Sequence, residues 1–422
     1  MLDLKFIREN SELVRKNLEK RKQPEYLDIL DKILKLDREW RSYKPKVQEL
    51  QYRRNQVSAD IAKLKKAGKS ADALMKEARE IPEKIKDMET KEAKMKEQIT
   101  ALQLRLPNML HDSVPYGMEA KDNAVVKEWG EKIKPDFELK PHGELAEELG
   151  IADFRRAAKV SGNGFAFIKG DLAMLDLALQ RFAIDFLAAK GFVPIEVPHL
   201  LRKEPYEGVT DIEEFKTMMY WVKEADAYLI ATSEHPIAAM YQNEVMEEKE
   251  LPIKYAGISS CYRKEIGSHS VDTKGLFRMH QFSKVEMFVF CKPEESWKIH
   301  EELLKNLEEI YQKLKLPYRV VNICTGDIGI VAAKKYDLEL WFPREGHMEA
   351  ASCSNCTAYQ ATRLNTRFTD GKTRQPLHTL NSTAIATSRT MRAILEVCQQ
   401  KDGTVKIPDV LQPYMNGKKK IQ

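Results

Sequence analysis

Between Phe277 and Phe290 the chain places Arg278, His280, Phe282, Lys284 and Glu286 at alternate positions. Alternate residues of a strand share one face, so as a strand this row points a single way. It would make a poor core and a good floor for a polar ligand. Arginine forks match phosphate and carboxylate oxygens, and an aromatic ring can stack on a base. Arg263 and Glu265 close the preceding apolar stretch, again at one parity, so two arginines, an aromatic and carboxylates could converge on one sheet face. The competing reading is a solvated face laced with salt bridges. Neither GxxxxGK[ST] nor GxGxxG occurs, so a nucleotide here would be held by arginines rather than by a glycine-rich phosphate loop.

The elements that must position these residues follow from pattern. Strands are expected over 254–263, 277–290, 318–324, 338–342 and 348–353. The first two are joined by a loop too short for a crossover helix, which makes them antiparallel. Helices are expected over 171–190, stopped at Gly191, and over 235–249, 294–314 and 388–400. In this reading His235 is a helix-start residue. Prolines and glycines from Pro107 to Gly143 mark a linker.

The first quarter has a different period. Leu36, Trp40, Tyr43, Val47, Leu50, Val57, Ile61 and Leu64 form one heptad seam, and Leu74, Ala78, Ile81, Ile85, Met88, Met95, Ile99, Leu102 and Leu106 form another. Gly68 lies in the turn between them. Two seams of similar length about a glycine turn predict an antiparallel hairpin with arms roughly 50 Å long. Pro45 and Pro82 lie inside the arms and should kink them. Up to Arg105 there are 27 Lys+Arg against 19 Asp+Glu, while the rest of the chain has 42 against 45. The positive excess therefore sits on the hairpin, which suits an anionic partner such as a structured nucleic acid. A plain dimerisation coiled coil is the other reading.

At 422 residues, two or three domains are expected. All six cysteines follow residue 260, and the one close pair, Cys353 and Cys356, has no second CxxC to complete a zinc cage. Reduced thiols of a cytoplasmic protein are the expectation. The N-terminus lacks an apolar signal core, and no run approaches the roughly 18 apolar residues that would span a bilayer.

Three segments carry a family resemblance. Tyr262-Arg263-Lys264-Glu265, a loop, and Gly275-Leu276-Phe277-Arg278-Met279-His280-Gln281-Phe282 resemble motif 2 of the class II aminoacyl-tRNA synthetases. Asn381-Ser382-Thr383-Ala384-Ile385-Ala386-Thr387-Ser388-Arg389 resembles motif 3, and Gly191-Phe192-Val193-Pro194-Ile195-Glu196-Val197-Pro198 resembles motif 1. Thr232-Ser233-Glu234 and Met348-Glu349-Ala350-Ala351-Ser352-Cys353-Ser354-Asn355-Cys356 are similar to substrate segments of the seryl-tRNA synthetases, whose N-terminal arm the hairpin resembles.

The resemblance implies an α+β chain. An N-terminal tRNA-binding domain over 1–106, with its antiparallel coiled-coil arm at about 27–105, precedes a linker over 107–145. A class II catalytic domain over 146–422 is built on a mainly antiparallel sheet flanked by helices. It implies ATP-dependent activation of serine and transfer of the seryl group to tRNA(Ser), with tRNA(Sec) a further candidate, by a homodimer with Pro198 at its interface. Arg263, Arg278 and Arg389 would be catalytic. Arg263 would bridge the α-phosphate and the serine carboxylate, Arg278 and Arg389 would clamp the β- and γ-phosphates, and Phe282 would stack on adenine. Glu265 would hold the adenine amino group or the amine side of the pocket. Glu349 and Ser352 would bind Mg²⁺ with ATP, and no structural zinc is implied. Strict alternation puts Glu349 and Ser352 on opposite faces, so a bulge is expected between them. Thr232, Glu234, Arg263, Glu286, Asn381 and Thr383 would line the serine site, with Glu286 and Thr383 at the hydroxyl. Val271 stands where the family often carries an arginine. A paralogue that loads a carrier protein and a non-catalytic tRNA-binding protein are the alternatives.

Overall fold

The computed structural model describes residues 1–132, 135–211, 216–265 and 275–422. It divides into two compact units, Leu2–Pro107 and Asn108–Gln422 together with Met1.

The first unit is helical: α1 (Leu4–Glu9), α2 (Ser11–Glu19), α3 (Pro24–Lys66) and α4 (Asp72–Arg105). Asp3 caps α1 by accepting the Lys5 and Phe6 N–H groups at 2.8 and 3.1 Å. Pro24 opens α3 at a position where its missing N–H costs nothing. The long pair meets along the expected seam. Val47, Val57, Ile81 and Ile85 are buried together, with Leu50, Ile61, Leu74, Ala78 and Met88 against them. Leu36 and Leu102 line one cleft, and Arg53 pairs with Glu77 across the helices at 2.7 Å. Gly68 turns the chain at φ 66°, a conformation that costs a Cβ-bearing residue energy. Pro45 and Pro82 lie within continuous helices. Each removes one backbone donor, and seam packing on both sides offsets that loss. At the base of α3 the buried Asp37 carboxylate receives Arg8 at 2.7 and 2.9 Å and Arg41 at 3.0 Å.

The second unit is built on one eight-stranded sheet. Its strands in chain order are β1 (Ala124–Trp129), β2 (Val193–Glu196), β3 (Ile253–Tyr262), β4 (Gln281–Cys291), β5 (Tyr318–Asn322), β6 (Lys334–Phe342), β7 (Gly346–Thr357) and β8 (His378–Ala386). Across the sheet they run β1-β5-β6-β7-β8-β4-β3-β2, and every pair is antiparallel except β3 with β2. The helices used below are α5 (His142–Glu148), α6 (Gly170–Ala189), α7 (Glu234–Ala239), α8 (Ser296–Leu314) and α9 (Thr387–Val397). Val285, Met287 and Val289 of β4 face a core shared with Leu175, Leu179 and Phe182 of α6, Leu303 and Leu307 of α8, and Ile394 of α9. The opposite parity of β4 carries Phe282, Lys284 and Glu286, then Phe288 and Phe290, which enter a second core with Ile237 of α7. One central strand thus gives one face to packing and half of the other to polar residues.

Two expectations need correction. Strand β4 begins at Gln281, not at Phe277, so Arg278 and His280 precede the strand and its parity does not place them. Leu276 and Phe277 instead turn into the main core. The helix expected over 235–249 ends at Ala239. Val245–Glu247 is a short strand paired in parallel with Arg367–Thr369, and Asn243 between them has φ 64°. Non-local pairing and burial of Met246 outweigh the local helical pattern there. No helix among the described residues is long and apolar enough to cross a membrane.

Truncating Ile85 to Ala should cost the hairpin about 2 kcal/mol. Hydrogen exchange should then quicken in α3 and α4 and stay unchanged in β3 and β4. Uniform acceleration through both units would contradict a packing role confined to the hairpin.

Candidate active site

A cavity of about 250 Å³ opens on the polar half of that sheet face, lined by Thr232, Glu234, Arg263, Phe282, Lys284, Glu286, Lys335, Glu349, Ser352, Asn381, Thr383 and Arg389, among others. Register explains the convergence. Glu286 of β4 sits opposite Thr383 of β8, and Asn381 of β8 opposite Ser354 of β7. Strand β7 bulges at Ala350: Ala351 pairs with Leu338, while Glu349 pairs with the next residue, Glu339. The expected bulge is present, and it turns Glu349 and Ser352 toward the same cavity. Thr232 and Glu234 arrive because α7 lies close on β3. Gly257, opposite Glu286, permits this, since a Cβ there would stand 2.6 Å from Ser233 Oγ.

The charges interlock. Lys284 Nζ lies 2.6 Å from Glu286 Oε2, which also accepts the Thr383 hydroxyl at 3.1 Å. Glu234 Oε1 accepts from Gln360 at 3.0 Å and Asn381 at 3.1 Å. Burial, followed by the nearby Glu286 carboxylate, pushes Glu234 up to about 7. Arg389 donates to the Glu349 carbonyl at 2.9 Å and to its carboxylate at 3.2 Å. Burial raises the Glu349 carboxyl, but Arg389, Lys335 and Arg263 outweigh it and hold the group well below the usual range. Asp337, next to Lys335 at 3.2 Å, moves the other way, raised by burial. The Arg263 guanidinium lies over the Phe282 ring at 5.4 Å and reaches the Ala231 carbonyl at 3.4 Å. Phe282 also borders a second cavity of about 180 Å³ shared with Phe165, Met279 and Ser388.

Arg278 and Glu265 are not among these lining residues; they pair with each other at 3.8 Å. Glu265 has φ 47°. Pro198 is exposed just past β2, an edge strand near the exposed Val193 and Leu200. His235 is buried, 2.8 Å from the Tyr206 hydroxyl, and burial drives it down to about 3. Cys353 and Cys356 are buried thiols, both pushed up by burial. Val271 and its loop, 268–274, lie outside the described residues. Sequence reasoning gave no role to Lys284, although its parity with Phe282 and Glu286 places it in the site. It missed Lys335 as well, because nothing local marks β6 as a cavity wall.

Comparison with known proteins agrees over the whole length. Residues 1–110 match the seryl-tRNA synthetase N-terminal domain, and residues 220–398 match the tRNA synthetase class II core domain (G, H, P, S and T). A serine–tRNA ligase of Methanocella arvoryzae is 58% identical over 421 residues, covering 99% of each chain. The structure of seryl-tRNA synthetase from Pyrococcus horikoshii complexed with ATP superposes with TM-score 0.95 at 47% identity, over 100% of this chain and 99% of that one. The cytoplasmic serine–tRNA ligase of Naegleria fowleri in complex with AMP gives 0.90 at 38%, with the same coverage.

Because the folded-state value of Glu234, about 7, lies above its ordinary 4.5, the folded protein keeps a proton that the unfolded chain has released. Its contribution to stability should therefore fall as pH rises through that window. Denaturant titrations at pH 5 and pH 8 should show Glu234→Gln losing less stability over the interval than the parent. Equal losses would remove Glu234 as the cause.

Proposed function

The chain belongs to the seryl-tRNA synthetase family, and from that premise we propose how its residues divide the work. The protein is a serine–tRNA ligase: it uses ATP to activate serine and passes the seryl group to tRNA. The first step joins the serine carboxylate to the α-phosphate and releases pyrophosphate. The second joins the seryl carbonyl to a terminal ribose hydroxyl and releases AMP. Both steps depend on positioning and charge stabilisation more than on a dedicated base.

In our reading Arg263 bridges the serine carboxylate and the α-phosphate. Its place over Phe282, the proposed adenine platform, supports a joint role. Arg389 takes the outer phosphates, and Arg278 joins it by leaving Glu265, which is then free for adenine or the substrate amine. The serine pocket is the Thr232, Glu234, Glu286, Asn381 and Thr383 wall. Glu234 receives the amine, and the Glu286–Thr383 pair meets the hydroxyl. The observation that carries this assignment is that pair, held at 3.1 Å and braced by Lys284. Glu349 and Ser352 are hard oxygen donors turned to one cavity by the bulge, and Glu349 is kept ionised, so they suit Mg²⁺. When bound, the ion neutralises phosphate charge. The rest of that neutralisation falls to Arg263 and Arg389.

Residues 1–106 form the tRNA-binding domain, 107–145 the linker and 146–422 the catalytic domain. The basic hairpin grips the body of tRNA(Ser) through phosphates. The protein is a cytoplasmic homodimer paired across the β2 edge near Pro198, where Val193 and Leu200 offer apolar surface.

A pocket that hydrogen-bonds a hydroxyl rejects the analogue lacking it by ~10⁴-fold or more. ATP–pyrophosphate exchange should be strong with serine, negligible with alanine and weak with threonine, whose extra methyl must be excluded sterically. Equal exchange with threonine would refute the pocket. Deleting residues 36–105 should spare exchange with serine and abolish charging of tRNA. Persistent charging would leave the hairpin without its role.

A further inference from the structure

Arg278 precedes strand β4, so the ladder does not set its position. Two residues earlier a buried contact does. The Leu276 N–H donates to His142 Nε2 at 3.0 Å, and His142 Nδ1 lies 2.7 Å from Glu396 Oε1. His142 opens α5 and is 2% exposed, Glu396 is 2% exposed and Leu276 is fully buried. A peptide N–H only donates and a carboxylate only accepts. The imidazole must therefore carry its proton on Nδ1 and leave Nε2 bare, an assignment made from its partners. The same Glu396 oxygen receives Arg392 Nε at 2.9 Å, and Arg392 extends to Glu345 at 2.7 Å.

Phe277 links this network to the site. The guanidinium groups of Arg389 and Arg392 lie over its ring at 5.1 and 5.0 Å, and the ring meets Phe342 edge-on at 6.1 Å. The segment Leu276-Phe277-Arg278 is therefore pinned at its first residue, floors one phosphate arginine with its second and carries the other arginine as its third. We propose that His142, which touches no substrate, is a positioning residue for the triphosphate clamp, holding the Leu276 amide against Glu396 so that Arg278 and Arg389 face the same phosphates. This rests on the reading of those two arginines as phosphate ligands. A role confined to packing α5 against α9 would lower stability without distinguishing one substrate from the other.

The test is serine-dependent ATP–pyrophosphate exchange by the full-length protein, with Arg278→Ala as reference. His142→Leu leaves the Leu276 N–H without its partner and Glu396 Oε1 with Arg392 alone. It should raise the KM for ATP about tenfold while the KM for serine moves less than about twofold. His142→Gln can accept from Leu276 and donate to Glu396, and should recover most of the loss. An unchanged KM for ATP, equal rises for both substrates, or a Gln variant no better than Leu would overturn the proposal. Should the Leu variant not fold, nitrogen NMR of the parent imidazole decides: a protonated Nδ1 with bare Nε2 supports the proposal, and any other state overturns it. If the parent shows no exchange with serine, or Arg278→Ala leaves the KM for ATP normal, the functional reading fails and takes this inference with it. If both behave as expected and only the histidine variant does not, this inference alone fails.

Discussion

Everything at the site depends on one constraint: no charge in it can stand alone. Glu234, Glu286 and Glu349 share a cavity with Arg263, Lys284, Lys335 and Arg389. Taking Lys284 and Glu286, the two buried ones, out of water costs several kcal/mol each, and their mutual attraction only roughly offsets that. Their value therefore lies in fixed orientation more than in stability. Glu286 is held by Lys284 and Thr383, Glu349 by Arg389, and Glu234 by two side-chain amides. Lys284, Thr383 and Asn381 come from β4 and β8, neighbours at the centre of the sheet, Arg389 from the start of α9 directly after β8, and Gln360 from a short helix over Tyr359–Leu364. The electrostatics of the cavity are thus set by strand register, and the helices packed behind β4 keep that register rigid.

Burial also removes three histidines from the chemistry. His235 is driven down to about 3, and His300 and His378 to about 4, each by burial first. Each has a fixed partner: the Tyr206 hydroxyl, the Cys353 carbonyl and the Ser296 hydroxyl. These are neutral struts rather than proton shuttles. This fits a reaction driven by placing anionic oxygens among cations, in which the proton-sensitive group of the cavity is a carboxyl, Glu234.

What could be read from the sequence was what is periodic or local. The hairpin seams were legible because coiled-coil packing repeats over many turns, and they meet as expected at Val57, Ile81 and Ile85. The row Phe282, Lys284 and Glu286 was legible because a strand alternates. The bulge in β7 was legible only through the family resemblance, which gives Glu349 and Ser352 one shared task that strict alternation would deny them. The start of β4 was misread because Leu276 is anchored by His142, 134 residues earlier, and no local signal records that bond. The helix after Glu234 was overrun for a similar reason: Val245–Glu247 finds its partner at Arg367–Thr369. Lys335 joins the cavity only through its place on β6, which no neighbouring residue announces.

The hairpin and the sheet also differ in when they can form. Helices α3 and α4 meet across a turn of five residues, so the seam can close from the turn outward, each contact adding a short loop once its neighbour has formed. The sheet joins β1 to β5 across nearly 190 residues and β4 to β8 across almost 90. Contacts of the first kind form on fast timescales, and those of the second wait for distant segments. Since the N-terminus is synthesised first, the basic hairpin can be complete on the ribosome while the strands that build the cavity are still being made. A nascent chain would then present its basic surface, amid abundant RNA, well before it could activate an amino acid.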